Sequence, residues 1–208
     1  MNNPFLSNIL DVTMLAICIF IVVRVFYVYP TVRSQRILIL GLSMGIITFT
    51  AIADLISSNI PSAAHVEWFL YFGQATALLF IFLSLPRDSE SYLQKVILTQ
   101  TFASILLICL ALLSFVLPDI PNDLIREILG STRFLICIGI CFYYISGFLQ
   151  KQSRFGLLMF SCFLLLGIGF LLDIQQYLAP QHGELFDALG DIGRLLGFLS
   201  LLAAVVIG

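Results

Sequence analysis

The stretch Asp187–Gly197, DALGDIGRLLG, runs without a break into FLSLLAAVVIG at 198–208. Asp187, Asp191 and Arg194 are spaced by four and three residues, so on a helix they share one face. Beyond them the segment is apolar enough, and long enough, to cross a bilayer. A helix that buries three charges on one stripe must give them partners or water, because an ionised group at membrane depth costs at least ~2.5–3.5 kcal/mol otherwise. This segment therefore predicts a membrane-spanning helix whose charged stripe faces other helices.

The rest of the 208-residue chain agrees: 60% of it is hydrophobic and only 11% charged, against about 25% charged in a soluble domain. Apolar runs predict seven helices at about 6–29, 37–57, 66–85, 93–117, 132–150, 155–178 and 184–207. Pro30, Pro61, Pro86, Pro118 and Pro180 punctuate the connections. The segment PDIPNDLIREILGSTR (118–133) reads as a connection with a short interfacial helix capped by Asn122 or Asp123. The expected fold is an all-α, seven-transmembrane-helix bundle forming a single domain over 1–208, multi-pass in the cell membrane. A net charge of −2 argues against nucleic acid as a partner. The partner the composition implies is the lipid bilayer. The N-terminus lacks the basic region of a cleavable signal, and its first apolar run is longer than such signals have. Cys18, Cys109, Cys137, Cys141 and Cys162 all fall in apolar runs and read as small packing residues.

Arg24, Arg33, Arg36, Arg87, Lys95, Lys151 and Arg154, seven of the ten basic residues, gather at one set of helix ends. The positive-inside rule assigns those ends to the cytoplasm, putting the N-terminus outside and the C-terminus inside. The chain also reads as duplicated. ADLISSNIPSAAHVEWFLYFGQATALLFIFLSL (53–85) and LDIQQYLAPQHGELFDALGDIGRLLGFLSL (172–201) align Asp54 with Asp173, His65-x-Glu67 with His182-x-Glu184, and Gly73-Gln74 with Gly190-Asp191. Repeats over 6–86 and 130–203 flank a linking helix at 93–117, a 3+1+3 arrangement. An odd linker makes the halves parallel, about an axis along the membrane normal.

With that orientation, Asp11, Asp54, Asp173 and Asp191 lie roughly 7–11 Å in from the outer helix ends, and Arg194 roughly 15 Å. Gln74 is at comparable depth, with Asp187 nearer the surface. These seven residues are the candidate ligand-binding set, facing one outward-open cavity. Acids outnumber the base, so the fitting ligand is a cation, a proton or a small polar molecule. The competing reading is a polar plug that only locks helices together. Asp191, one turn from Arg194, is expected to be its chief neutraliser. His65, Glu67, His182 and Glu184 could ligate a divalent metal, although hydrogen bonding at helix starts explains them as well. Gly41-x-x-x-Gly45, Gly193-x-x-x-Gly197 and Cys137-x-x-x-Cys141 mark close helix packing, within the chain or between copies in a homo-oligomer.

No phosphate loop, serine-hydrolase elbow or HExxH site is present, and the sequence predicts neither an enzyme nor a cofactor. Both histidines fall in connections, which leaves no ligand for a haem between helices. The 3+1+3 order with an outside N-terminus is similar to microbial rhodopsins, but Lys95 and Lys151 are the only lysines and neither is in the seventh helix. The segment ADLISS…HVEWFLYFGQATALLFIFLSL resembles the seven-helix input domains of bacterial histidine kinases and related receptors. That resemblance implies an extracytoplasmic sensor signalling through its seventh helix to a cytoplasmic domain or a separate partner protein. The alternatives are a small cation- or proton-coupled transporter or channel, and a non-catalytic subunit of a larger membrane complex.

Overall fold

The computed structural model describes residues 4–59, 66–114, 116–118, 120, 123–178, 181 and 183–207. The chain is all-α: α1 (Pro4–Val32), α2 (Gln35–Asn59), α3 (Glu67–Ser84), α4 (Glu90–Leu113), α5 (Asp123–Lys151), α6 (Arg154–Leu178) and α7 (Gly183–Ile207). Each contains a stretch long and apolar enough to cross a membrane, from 18 residues in α3 to 29 in α5. Helices are what such sequences form in lipid, where every backbone N–H and C=O must be satisfied within its own segment. Leu98, Phe102, Ile105, Ile108 and Leu112 of α4 are exposed, an apolar surface that suits hydrocarbon rather than water.

Several boundaries depart from the sequence reading; α4, expected at 93–117, spans Glu90–Leu113. Among the described residues no separate interfacial helix precedes the fifth span; α5 begins at Asp123 and runs unbroken for 29 residues. The run DLIREIL is made of good helix formers, and Asp123 pairs with Arg126 one turn on, at 3.1 Å, so nothing interrupts it. Pro30 lies inside the last turn of α1 rather than in the connection.

The chain divides into two compact units, one of residues 1–17 and 122–208 and one of 18–121. In the first, α5 and α6 are antiparallel: a Cβ at Gly130 would meet Ile174 at 2.9 Å, and one at Gly167 would meet Cys137 at 3.3 Å. Phe163, Met159, Cys162, Leu166, Ile140 and Cys137 are buried along them. In the second, Phe49 of α2 meets Phe69 of α3 edge-on at 5.8 Å. Ile39, Phe80, Leu93 and Val96 form a core shared by α2, α3 and α4. Gln100, wholly buried on α4, donates to Ser43 Oγ at 2.9 Å and to the Ile39 carbonyl at 3.3 Å. Arg36 closes the end of α3 by donating to the carbonyls of Ser84 (3.0 Å) and Leu85 (2.9 Å) while pairing with Asp88 at 2.6 Å.

Helix ends recur at a fixed interval of 119 residues: Val32 and Lys151, Gln35 and Arg154, Asn59 and Leu178. The breaks between these helices are alike in detail. Arg33 (φ 51) and Gln152 (φ 46) are the non-glycine residues with positive φ among the described residues. Each donates its N–H back into the helix just ended, Arg33 to the Tyr29 carbonyl and Gln152 to that of Phe148, both at 2.7 Å. This is the left-handed helix stop usually made by glycine.

Candidate functional site

The α6–α7 contact is built from glycine. A Cβ at Gly193 would stand 3.3 Å from the Gly169 Cα, and one at Gly197 would stand 2.8 Å from Leu166 Cγ. A Cβ at Gly169 would stand 2.9 Å from the Gly190 carbonyl oxygen and 2.7 Å from Arg194 Cγ. With no side chains in the way, the two antiparallel backbones come together, and short carboxylates can span the gap. Gly193 and Gly197 therefore serve packing within this chain. Gly41 packs against Val25 of α1, at 2.8 Å from a built Cβ, whereas Gly45 has nothing within 4 Å.

At the end of this contact nearest the α6–α7 turn, Arg194 joins two carboxylates. Its Nη1 lies 3.0 Å from Asp173 Oδ2 of α6, and its Nη2 bonds Asp191 Oδ1 one turn back on α7. Asp173 and Asp191 are both buried, each with 7% of its surface exposed. The arginine's partner is thus shared between helices rather than being Asp191 alone. The second oxygen of Asp173, Oδ1, is buried without a hydrogen bond among the described residues. It occupies the space a side chain at Gly190 would need, 2.8 Å from a built Cβ.

A second cation was hidden in the sequence. Arg133 of α5 is buried at 4% exposure, with its guanidinium 4.6 Å from the centre of the Phe170 ring. Its charge acts on Asp173. The backward extension of α5 moves Arg133 from a helix end to a position ten residues in from Asp123, roughly 15 Å along the axis. The charge cluster of α5–α7 is therefore balanced, buried Arg133 and part-buried Arg194 against the carboxylates of Asp173 and Asp191. Such a neutral cluster can stay dry where four carboxylates facing one base would need water.

The other candidate residues are placed as follows. Asp187 is exposed on α7, and its charge still reaches Arg194. Asp11 of α1 is half-buried, Asp54 of α2 is exposed and Gln74 of α3 is half-buried, and each makes interactions of its own. His65 and His182 lie outside the described residues, as does the side chain of Glu184. Glu67 accepts the backbone N–H of Ile120 at 3.3 Å, and Trp68 beside it donates to the Pro118 carbonyl at 3.0 Å. No group of three or more metal-ligating side chains occurs among the described residues.

Away from the turn, the buried positions of α5–α7 are apolar or cysteine. Arg133, Asp173 and Asp191 are the buried polar side chains among this unit's described residues, whereas unit 18–121 buries Ser43, Thr50, Ser84, Gln100 and Ser114. The fold and site together define an all-α protein with seven membrane-length helices and a closed ionic cluster at one end of its last three. Comparison of the chain with protein-family models, with curated proteins and with solved structures finds no match.

Proposed function

We propose that this chain is a multi-pass membrane protein of the bacterial sensory or receptor kind, in which the α5–α7 charge cluster is the responsive element. The basic residues of the α1–α2, α3–α4 and α5–α6 connections orient it with the N-terminus outside, so the cluster lies in the outer half. The observation that carries the reading is the closure of the opposite half. Among the described residues of α5–α7, the buried positions there, Ile140, Cys141, Met159, Cys162, Phe163, Leu201 and Ala204, are apolar or cysteine. A carrier needs a polar route to both faces, whereas a sensor needs a site on one face and a helix leading away from it. Here that helix is α7, which holds Asp191 and Arg194 and ends on the cytoplasmic side.

We further read α1–α3 and α5–α7 as a parallel internal repeat joined by α4. Support comes from the 119-residue recurrence of helix ends and from the two matching positive-φ breaks. Contacts correspond as well: a Cβ at Gly73 would meet the Thr50 methyl, as one at Gly190 would meet the Gly169 carbonyl. Parallel repeats also build carriers, which keeps a cation- or proton-coupled transporter as the second reading.

Proteoliposomes separate the two. The sensory reading expects proton and sodium fluxes no faster than in empty vesicles, together with altered hydrogen exchange along α7 when the outer solution is acidified. A flux that disappears in Asp173→Asn would replace it with the carrier.

A further inference from the structure

The responsive-cluster reading leaves the ligand open, and the geometry around Asp173 narrows it. We infer that the ligand of this site is a proton, bound on Oδ1 of Asp173 and supplied from the α6–α7 turn. Oδ1 is a buried acceptor with no donor among the described residues, on a side chain whose other oxygen is already held by Arg194. Polar atoms in such a place ordinarily have a partner.

Larger cations fit poorly. Calcium takes six to eight oxygens and magnesium a near-octahedral set, and no three-ligand group exists among the described residues. Arg133 and Arg194 also balance the charge of Asp173 and Asp191, so the cluster has no excess negative charge with which to hold a metal ion. Room is short too, since Oδ1 fills the space that a Cβ on Gly190 would claim. A proton needs neither volume nor a ligand shell.

The step balances simply. A hydronium ion gives its proton to Oδ1, one O–H bond forms, and water leaves. Asp173 becomes neutral, Arg194 keeps its charge and retains Asp191 alone, and the buried cluster goes from balanced to one positive charge in excess. The charged groups around Asp173 are Arg133 on α5, and Asp191, Arg194 and the more distant Asp187 on α7. Arg126 and Asp123 of α5 pair with one another nearer the helix end. Arg194 and Asp191 then neutralise each other within α7, the ionic tie from α7 to Asp173 of α6 is lost, and Arg133 is left without a counter-charge; proton uptake is read out as movement of α7.

Infrared difference spectra of the full chain in nanodiscs, recorded across acidification, test this directly. A protonated-carboxyl C=O band is expected to appear, to shift in heavy water, to vanish in Asp173→Asn and to persist in Asp191→Asn. Should Asp173→Asn fail to fold, Asp173→Glu keeps an acid on a longer arm and must move the band's frequency. A band unchanged in Asp173→Glu, or surviving in Asp173→Asn, overturns the assignment. So does no band at all, the outcome if a buried water rather than a proton satisfies Oδ1. A band lost in Asp173→Asn alongside proton flux through the protein would leave this site standing and remove the sensory reading. No band alongside an acid response in α7 would do the reverse.

Discussion

Replacing Arg194 by glutamine should be the most damaging single change in the ionic cluster. In the parent, Arg194 holds Asp173 across the helix contact at 3.0 Å and Asp191 along its own helix. Glutamine cannot neutralise either, so two carboxylates, each 7% exposed, are left facing one remaining guanidinium, that of Arg133. Breaking a buried pair costs about 3–5 kcal/mol, most of it the uncompensated charge. For a chain of this length, 1 kcal/mol corresponds to about 2–4 °C in Tm, so Arg194→Gln should melt about 10 °C lower. Asp191→Asn is milder, because Arg194 keeps Asp173 and loses one charge-assisted hydrogen bond, costing about 1–3 kcal/mol. Asp173→Asn falls between, since it removes the tie between helices and leaves both Arg133 and Arg194 with less counter-charge. Thermal and denaturant unfolding in one detergent would rank the three. If Arg194→Gln is as stable as the parent, or costs less than Asp191→Asn, the arginine is solvated and the cluster does not hold α6 to α7.

Other positions give separate checks. Gly190→Ala should destabilise and should perturb the environment of Asp173, because the new methyl would lie 2.8 Å from Oδ1; unchanged unfolding would show that the helices separate freely. Gly41→Ala should require Val25 to move, while Gly45→Ala, with open space around it, should be neutral or gain up to ~1 kcal/mol of helix propensity. Gln152→Gly should stabilise by about 1 kcal/mol, by relieving a left-handed conformation at φ 46 that L side chains adopt at a cost. Gln100→Leu should stay within about 1 kcal/mol of the parent, since it loses two hydrogen bonds but also removes a buried acceptor, Oε1, that has no hydrogen bond.

Much of this was legible in the sequence because lipid imposes one rule throughout: a span is a long apolar run, and runs are easily seen. The spacing of Asp191 and Arg194 gave their shared face, since helical period needs no tertiary information. What failed was the start of α5, where three charges, Asp123, Arg126 and Glu127, made DLIREIL read as a separate short interfacial helix rather than as the first turns of the span. That error concealed Arg133, which seemed to sit at a helix end and in fact lies three turns in. The Asp173–Arg194 pair was missed for a different reason. It depends on the register of α6 against α7, and register is a property of two segments. One signal could have revealed it: Gly190, Gly193 and Gly197 lie on the stripe adjoining the charges, and small residues there mark where a neighbouring backbone comes close.

The proposed repeat supplies the sharpest test of why the second half is charged at all. In that proposed repeat the counterparts of Asp173, Asp191 and Arg194 are Asp54, Gln74 and Ala77, and Ala77 is fully buried in the α3 core. One half thus runs its α2–α3 contact with neutral residues where the other uses an acid and a base. Rewriting the second half to match the first, Asp191→Gln with Arg194→Ala, removes one charge of each sign and leaves Arg133 opposite Asp173. Net charge in the core stays zero, and replacing a buried pair by neutral residues is often close to neutral in stability. The double variant should therefore unfold within about 2 kcal/mol of the parent, whereas Arg194→Ala alone, with two acids to one base, should lose about 3–5 kcal/mol. Its α7, with no ion pair left to Asp173 of α6, should no longer change its hydrogen exchange on acidification. A double variant as unstable as Arg194→Ala would mean that the individual contacts of Arg194, not the balance of charge, hold the cluster together. A double variant that folds and still responds to acid through α7 would separate the response from the ion pair altogether, and the signal would have to leave Asp173 by way of α5 and Arg133.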